Sequence, residues 1–184
     1  MMKKNLRIIS GVLLLVLLDQ MIKIVIANKF MEEEFYFINN ILGFKAVINI
    51  KYSWINSVMN LRIGYLPHVI LNSAIVLLSI AIFAFVRERY QENRIVNLAF
   101  LFVIAGALCS LIDKLFWGGS LDYILLKGFF VFDLKDVYIS LFETIVVACL
   151  IFNYKGFRKF NEKKFYNNFK SYVKTKLLRL EVHK

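Results

Sequence analysis

Six ionisable side chains stand where ionisation is expensive. Asp19, Lys23, Asp113, Lys114 and Glu143 interrupt long apolar runs, and Asp136 stands at the edge of the last one. A charge held at mid-bilayer costs roughly 2.5–3.5 kcal/mol or more, so each needs a partner or a task. Asp19 and Lys23 are four residues apart with the acid on the N-terminal side, the favourable order for an ion pair along one helical face. Their spacing is that of a structural pair. Asp113 and Asp136 differ, because each falls near one end of a separate apolar run. Two carboxylates held close cannot both ionise, so they share a proton. One can then activate a water while the other donates to a carbonyl. That chemistry needs no metal and no cofactor. The competing reading is that interfacial aspartates cap helices. Ser110 and Lys114 also share a face, at a spacing open to a serine–lysine pair. His68 and His183 are far apart, and Cys109 and Cys149 lie inside apolar runs. A histidine triad, a disulfide framework and a metal site are therefore not expected.

The elements that must position these groups follow from hydropathy. Hydrophobic residues make up 59% of the 184, yet the formal net charge is +11. The charges fall between apolar runs rather than among them, an arrangement that suits a bilayer and excludes nucleic acid as the partner. Four runs reach spanning length, at residues 8–27, 65–86, 95–117 and 137–154. The first begins with basic residues like a signal peptide. It carries Asp19 and Lys23, however, and no small-x-small cleavage site follows, so it is expected to be retained. Lysine and arginine number sixteen over the leader, the 87–94 turn and the tail, against six over segments 28–64 and 118–136. The positive-inside bias then places both termini in the cytoplasm and both long loops outside. Asp113 and Asp136 thereby arrive at one depth, at the outer face.

The predicted fold is an all-α membrane protein of four transmembrane helices with a small extracytoplasmic β-cradle. A peptidase-like unit would cover residues 1–154, and a basic cytoplasmic tail residues 155–184. Segment 28–64 contains FYFINN, FKAVINI and YSWINS, whose aromatic and β-branched residues predict short strands. The tail interleaves Phe157, Phe160, Phe165, Phe169, Tyr172, Val173 and Leu180 with lysines, as in an amphipathic helix lying on an anionic leaflet.

At the ionisable residues the chain resembles the lipoprotein signal peptidase (signal peptidase II) family. LLDQMIK (17–23) is similar to the family's aspartate–glutamine–x–x–lysine motif. NIKYSW (49–54) stands in the place of asparagine–x–glycine–x–x–phenylalanine. AGALCSLIDKLFWGGSLDY (105–123) follows the family's glycine-rich helix, its aspartate–arginine pair and a downstream valine–aspartate–phenylalanine. FDLKDVYI (132–139) resembles phenylalanine–asparagine–x–alanine–aspartate. The resemblance implies an aspartic endopeptidase of a bacterial cytoplasmic membrane, with its active site at the outer face. It would cut lipid-modified prolipoproteins just before the diacylglyceryl-cysteine. Asp113 and Asp136 would be catalytic, Asn49, Trp54, Ser110 and Asp133 would position substrate, and Asp19 with Lys23 would hold the scaffold. The implied partners are the prolipoprotein and the bilayer, and the chain is expected to act as a monomer.

The departures bear on activity. Ser110 and Asp133 stand where the family has asparagine, Lys51 where it has glycine, Lys135 where it has alanine, and Lys114 where it has arginine. Asp133 brings a third carboxylate toward the pair, which Lys135 or Lys51 could offset. Glu143, seven residues after Asp136, falls on nearly the same helical face. A catalytically inactive paralogue that binds lipoproteins or signal peptides is the alternative.

Overall fold

The computed structural model describes residues 2–90, 93–152 and 161–182. Six helices and four strands follow in the order α1 (Met2–Lys29), β1 (Glu34–Ile38), β2 (Leu42–Asn49), α2 (Trp54–Met59), α3 (Tyr65–Arg89), α4 (Arg94–Phe116), β3 (Ser120–Leu126), β4 (Phe130–Phe132), α5 (Leu134–Ile151) and α6 (Glu162–Val182). Three helices are long and apolar enough to cross a membrane, over Leu6–Lys29, Tyr65–Arg89 and Arg94–Phe116. α5 has 18 residues, about 27 Å of helix, and carries Lys135, Asp136 and Glu143.

Local chemistry sets the element boundaries. Asn93 caps α4, its side chain accepting from the backbone N–H of Ile95 at 2.9 Å. Asp133 caps α5 by accepting from the N–H of Asp136, while the Asp136 carboxylate accepts in return from the N–H of Asp133, both at 3.2 Å. α1, α4 and α5 pack around Ile8, Val12, Ile104, Ala105, Cys109 and Tyr138. Small residues allow close approach: a Cβ on Gly106 would meet Ile139 Cγ1 at 2.8 Å, and one on Gly11 would meet Leu101 at 2.7 Å. The Tyr138 hydroxyl donates to the Leu15 carbonyl at 3.1 Å and ties α5 to α1. Apolar side chains on the outer helix faces, such as Leu14, Leu77 and Ile151, are exposed, as a bilayer would require.

The strands form one antiparallel sheet in the order β1-β2-β3-β4. Asn39 and Asn40 both adopt positive φ and turn β1 into β2, a conformation asparagine tolerates better than most residues. The cradle draws equally on both long loops: segment 28–64 supplies β1 and β2, and segment 118–136 supplies β3 and β4. YSWINS is not a strand. Ser53 accepts from the N–H of Asn56 at 3.2 Å and starts α2 there instead. The buried Asn56 amide then staples the segment, donating to the carbonyls of Lys51 and Ile63.

In the tail, Phe157 and Phe160 lie outside the described residues. Phe165, Phe169 and Tyr172 of α6 surround Phe85 at the end of α3, with ring centroids 5.3–5.5 Å away. Lys176 pairs with Glu88 at 3.1 Å. The amphipathic face of α6 thus packs on the chain's own third helix.

Candidate active site

The ends of α1, α4 and α5 meet the sheet at a dense ionic cluster. Lys23 on α1 is its hub. The ammonium is wholly buried and reaches Asp19 Oδ2 at 3.0 Å, Asp113 Oδ2 at 2.6 Å and Asp133 Oδ2 at 2.6 Å. An ammonium has three N–H donors, and three carboxylates engage them. The Asp19–Lys23 pair expected from spacing is therefore part of a larger network that joins three helices. The second oxygen of Asp19, Oδ1, has no hydrogen-bond partner among the described residues.

Lys135 forms a second centre. Its Nζ reaches Asp133 Oδ2 at 2.6 Å, Asp113 Oδ2 at 3.3 Å and Asp122 Oδ1 at 3.5 Å, and it donates to Ser120 Oγ. Asp133, the residue in the family's asparagine place, is thus gripped between two ammonium groups. Burial alone would raise its pKa, yet Lys135 and Lys23 outweigh burial and hold the carboxyl below the usual range. The two departures Asp133 and Lys135 compensate each other: one adds a negative charge and the other adds its counter-ion.

The carboxylates fall into two groups. Asp19, Asp113 and Asp133 have oxygens within 4.8 Å of one another, and so do Asp122, Asp133 and Asp136. The sequence pairs Asp113 with Asp136, but the structure sets Asp136 beside Asp122. Asp113 is fully buried and saturated: Oδ2 faces Lys23, and Oδ1 accepts from Gln20 Nε2 at 3.2 Å. Gln20 also donates to Asp19 Oδ2 at 2.9 Å and accepts from Trp117 Nε1 at 3.0 Å, which fixes it in place.

Asp122 comes from β3, where Ser120, Leu121, Asp122 and Tyr123 are all buried. One extra residue in β2 between Phe44 and Val47 bulges that strand next to Asp122. Its Oδ1 accepts from Ser120 Oγ at 2.6 Å, and its Oδ2 accepts from Asn49 Nδ2 at 3.3 Å. Burial pushes the Asp122 carboxyl above its ordinary pKa, against the opposing pull of Lys135. Asp136 is only half-buried, and its capping contact uses one oxygen, Oδ2. The pair therefore sets a buried carboxyl on β3 against a half-buried one at the start of α5.

Asn49 lands in this group through its bond to Asp122. Ser110 does not. Its Oγ accepts from Asn72 Nδ2 at 2.7 Å and from Lys114 Nζ at 2.9 Å, forming a separate polar contact between α3 and α4. Trp54 opens α2, but its side chain lies outside the described residues. Lys51 contacts Asn60 Oδ1 at 3.1 Å, away from the acids. Sequence reasoning assigned no role to Gln20, Ser120 or Asp122. The signal for Asp122 was available in Leu121-Asp122-Tyr123, an aspartate set between two large apolar residues at the start of a strand.

The chain is thus a helical bundle with membrane-spanning helices that gathers buried carboxylates under a small sheet. The family model described as signal peptidase (SPase) II matches residues 11–154. Two solved structures, both described as a bacterial membrane enzyme determined by the in meso method, share the fold. The one at 1.9 Å resolution has a TM-score of 0.65 at 21% identity, covering 78% of this chain and 92% of the other. The one at 2.3 Å resolution has a TM-score of 0.67 at 20% identity, covering 84% and 93%. No curated protein sequence matches the chain. The chain belongs to the signal peptidase II family of membrane-embedded proteases that act on lipoproteins.

Proposed function

We propose that this protein is an aspartic endopeptidase that removes the signal peptide of lipid-modified bacterial prolipoproteins just before the diacylglyceryl-cysteine, with Asp122 and Asp136 as its working pair. The observation that carries the reading is the approach of the Asp122 and Asp136 carboxylates within 4.8 Å. One water can bridge that gap with two ordinary O–H···O contacts of about 2.8 Å. Asp136, at the solvent edge, takes a proton from the water as its oxygen attacks the scissile carbonyl carbon. Asp122 gives its proton to the carbonyl oxygen, and a tetrahedral diol forms. A proton then passes to the amide nitrogen, the C–N bond breaks, and the products are a free carboxylate and the amine of the lipidated cysteine.

Asp113 positions rather than reacts. It anchors Lys23 and contacts Lys135, and Lys135 with Ser120 and Asn49 fixes Asp122. In this reading α5 is the fourth span, both termini are cytoplasmic and the acids sit at the outer face. The lysines of α6 that face away from Phe85, among them Lys163, Lys170 and Lys174, would then meet the anionic inner leaflet. Turnover of a diacylglyceryl-modified prolipoprotein by the purified protein tests the reading, as does rescue of a bacterium depleted of its own lipoprotein signal peptidase.

A second reading has one observation in its favour. The Lys135 ammonium contacts Asp122, Asp133 and Asp113 where the family has alanine, and it could hold a paralogue that binds lipoproteins without cutting them. Specific capture of the prolipoprotein with no turnover would select it.

A further inference from the structure

Glu143 takes no part in the cluster. It lies on α5, nine residues from the helix start and about 14 Å along an axis of about 27 Å. It is exposed, and it makes no hydrogen bond or ion pair among the described residues. With α5 as a span, Glu143 stands at mid-bilayer on the lipid side, where a carboxyl without a partner costs several kcal/mol. No described residue meets that cost.

The face that carries Glu143 indicates what does. Asp136, Ser140, Glu143, Val147 and Leu150 follow at alternating spacings of four and three, which is one continuous stripe on a helix. Asp136 is half-buried, and Ser140, Glu143, Val147 and Leu150 are exposed. The stripe begins at the carboxylate we assign to the reaction and descends into the bilayer. Resting on the proposed function, the substrate must do the same: its scissile bond sits at Asp136, and its apolar signal helix continues down through the membrane.

We propose that this face of α5 is the track on which the substrate's signal helix lies, and that Glu143 is a specificity determinant reading a hydrogen-bond donor on that helix. Seven residues separate Asp136 from Glu143, an axial drop of about 10 Å. A helical signal peptide falls the same distance in about seven residues, so the matching donor is a serine or threonine roughly seven residues before the cleavage site. Hydrogen bonds between helices in membranes contribute roughly 1–2 kcal/mol, which converts to about 5- to 30-fold in specificity.

The test uses the full-length protein in lipid bilayers and two diacylglyceryl-modified prolipoproteins that differ by serine or leucine at that position. The wild type prefers the serine substrate in kcat/KM by about 5- to 30-fold. Glu143→Gln, which keeps an acceptor, retains the preference, and Glu143→Leu loses it. An active wild type without preference, or the same preference in Glu143→Leu, overturns the track. No turnover of either substrate refutes the peptidase reading instead. The track is then judged by a photo-crosslinker placed at Val147. An adduct with the signal peptide that weakens when the serine becomes leucine supports it. An adduct with a second copy of this chain alone, or an adduct indifferent to the serine, overturns it.

Discussion

Asp133 and Lys135 should behave as one unit when mutated, although each departs from the family pattern. Lys135 Nζ lies 2.6 Å from Asp133 Oδ2, 3.3 Å from Asp113 Oδ2 and 3.5 Å from Asp122 Oδ1, with all four side chains buried. Lys135→Ala leaves those carboxylates with Lys23 as the remaining ammonium of the network. Removing one partner of a buried ion pair costs about 3–5 kcal/mol. For a chain of this length that is about 6–20 °C in melting temperature, at roughly 2–4 °C per kcal/mol. Asp133→Asn is milder, about 1–3 kcal/mol, because asparagine caps a helix as well as aspartate and Lys135 keeps Asp113 and Asp122. The double variant restores the family's asparagine and alanine and removes one charge of each sign. It should fall within about 1 kcal/mol of the wild type, which makes the coupling about 3 kcal/mol or more. Thermal unfolding of the four proteins in detergent micelles completes the cycle. Additive losses, with the double variant the least stable of the four, would refute the claim that these residues compensate each other.

Three further outcomes follow from the same geometry. Ser120→Ala and Asn49→Ala each remove a hydrogen bond that lowers the pKa of Asp122; its proton is then lost at higher pH, so the basic limb of the pH–rate profile should move up, and a downward shift would refute Asp122 as the acid. Lys23→Met takes the ammonium from Asp19 and leaves Asp113 and Asp133 with Lys135 alone, and should destabilise by about 3–5 kcal/mol in the same unfolding assay, whereas a loss under 1 kcal/mol would show that Lys23 is no hub. Gly106→Val drives a side chain into Ile139 and the Lys135 carbonyl and should cost about 1–3 kcal/mol, with unchanged melting arguing against tight α4–α5 packing.

Much of this architecture could be read from the sequence because hydropathy and charge act over long windows. The runs that became α1, α3 and α4 were marked by length alone, and Asp19 with Lys23 by their four-residue spacing. What could not be read depends on short-range competition or on contacts distant in sequence. YSWINS has strand-forming residues, but Ser53 and Asn56 satisfy backbone groups locally and favour a helix. Half of the sheet comes from residues 120–132, more than seventy positions beyond β2, and no periodicity announces that pairing. Asp113 looked reactive because it lies near a helix end at the right depth. Its saturation by Lys23 and Gln20 depends on a different helix. Asp122 lies in a short strand after a glycine pair, and only the fold brings Asn49 and Ser120 around it.

The central claim is that Asp122 and Asp136, with Asp113 in a supporting place, perform the cleavage. The most direct measurement is the initial rate at which wild type, Asp122→Asn, Asp136→Asn and Asp113→Asn cleave a diacylglyceryl-modified prolipoprotein, each variant checked for insertion and melting. The account predicts that Asp122→Asn and Asp136→Asn each lose about 10²-fold or more while melting near the wild type. It predicts that the chief defect of Asp113→Asn is in stability. An Asp122→Asn protein that keeps more than about a tenth of the wild-type rate, beside an Asp113→Asn protein that is folded and inactive, would contradict it and return the catalytic role to Asp113.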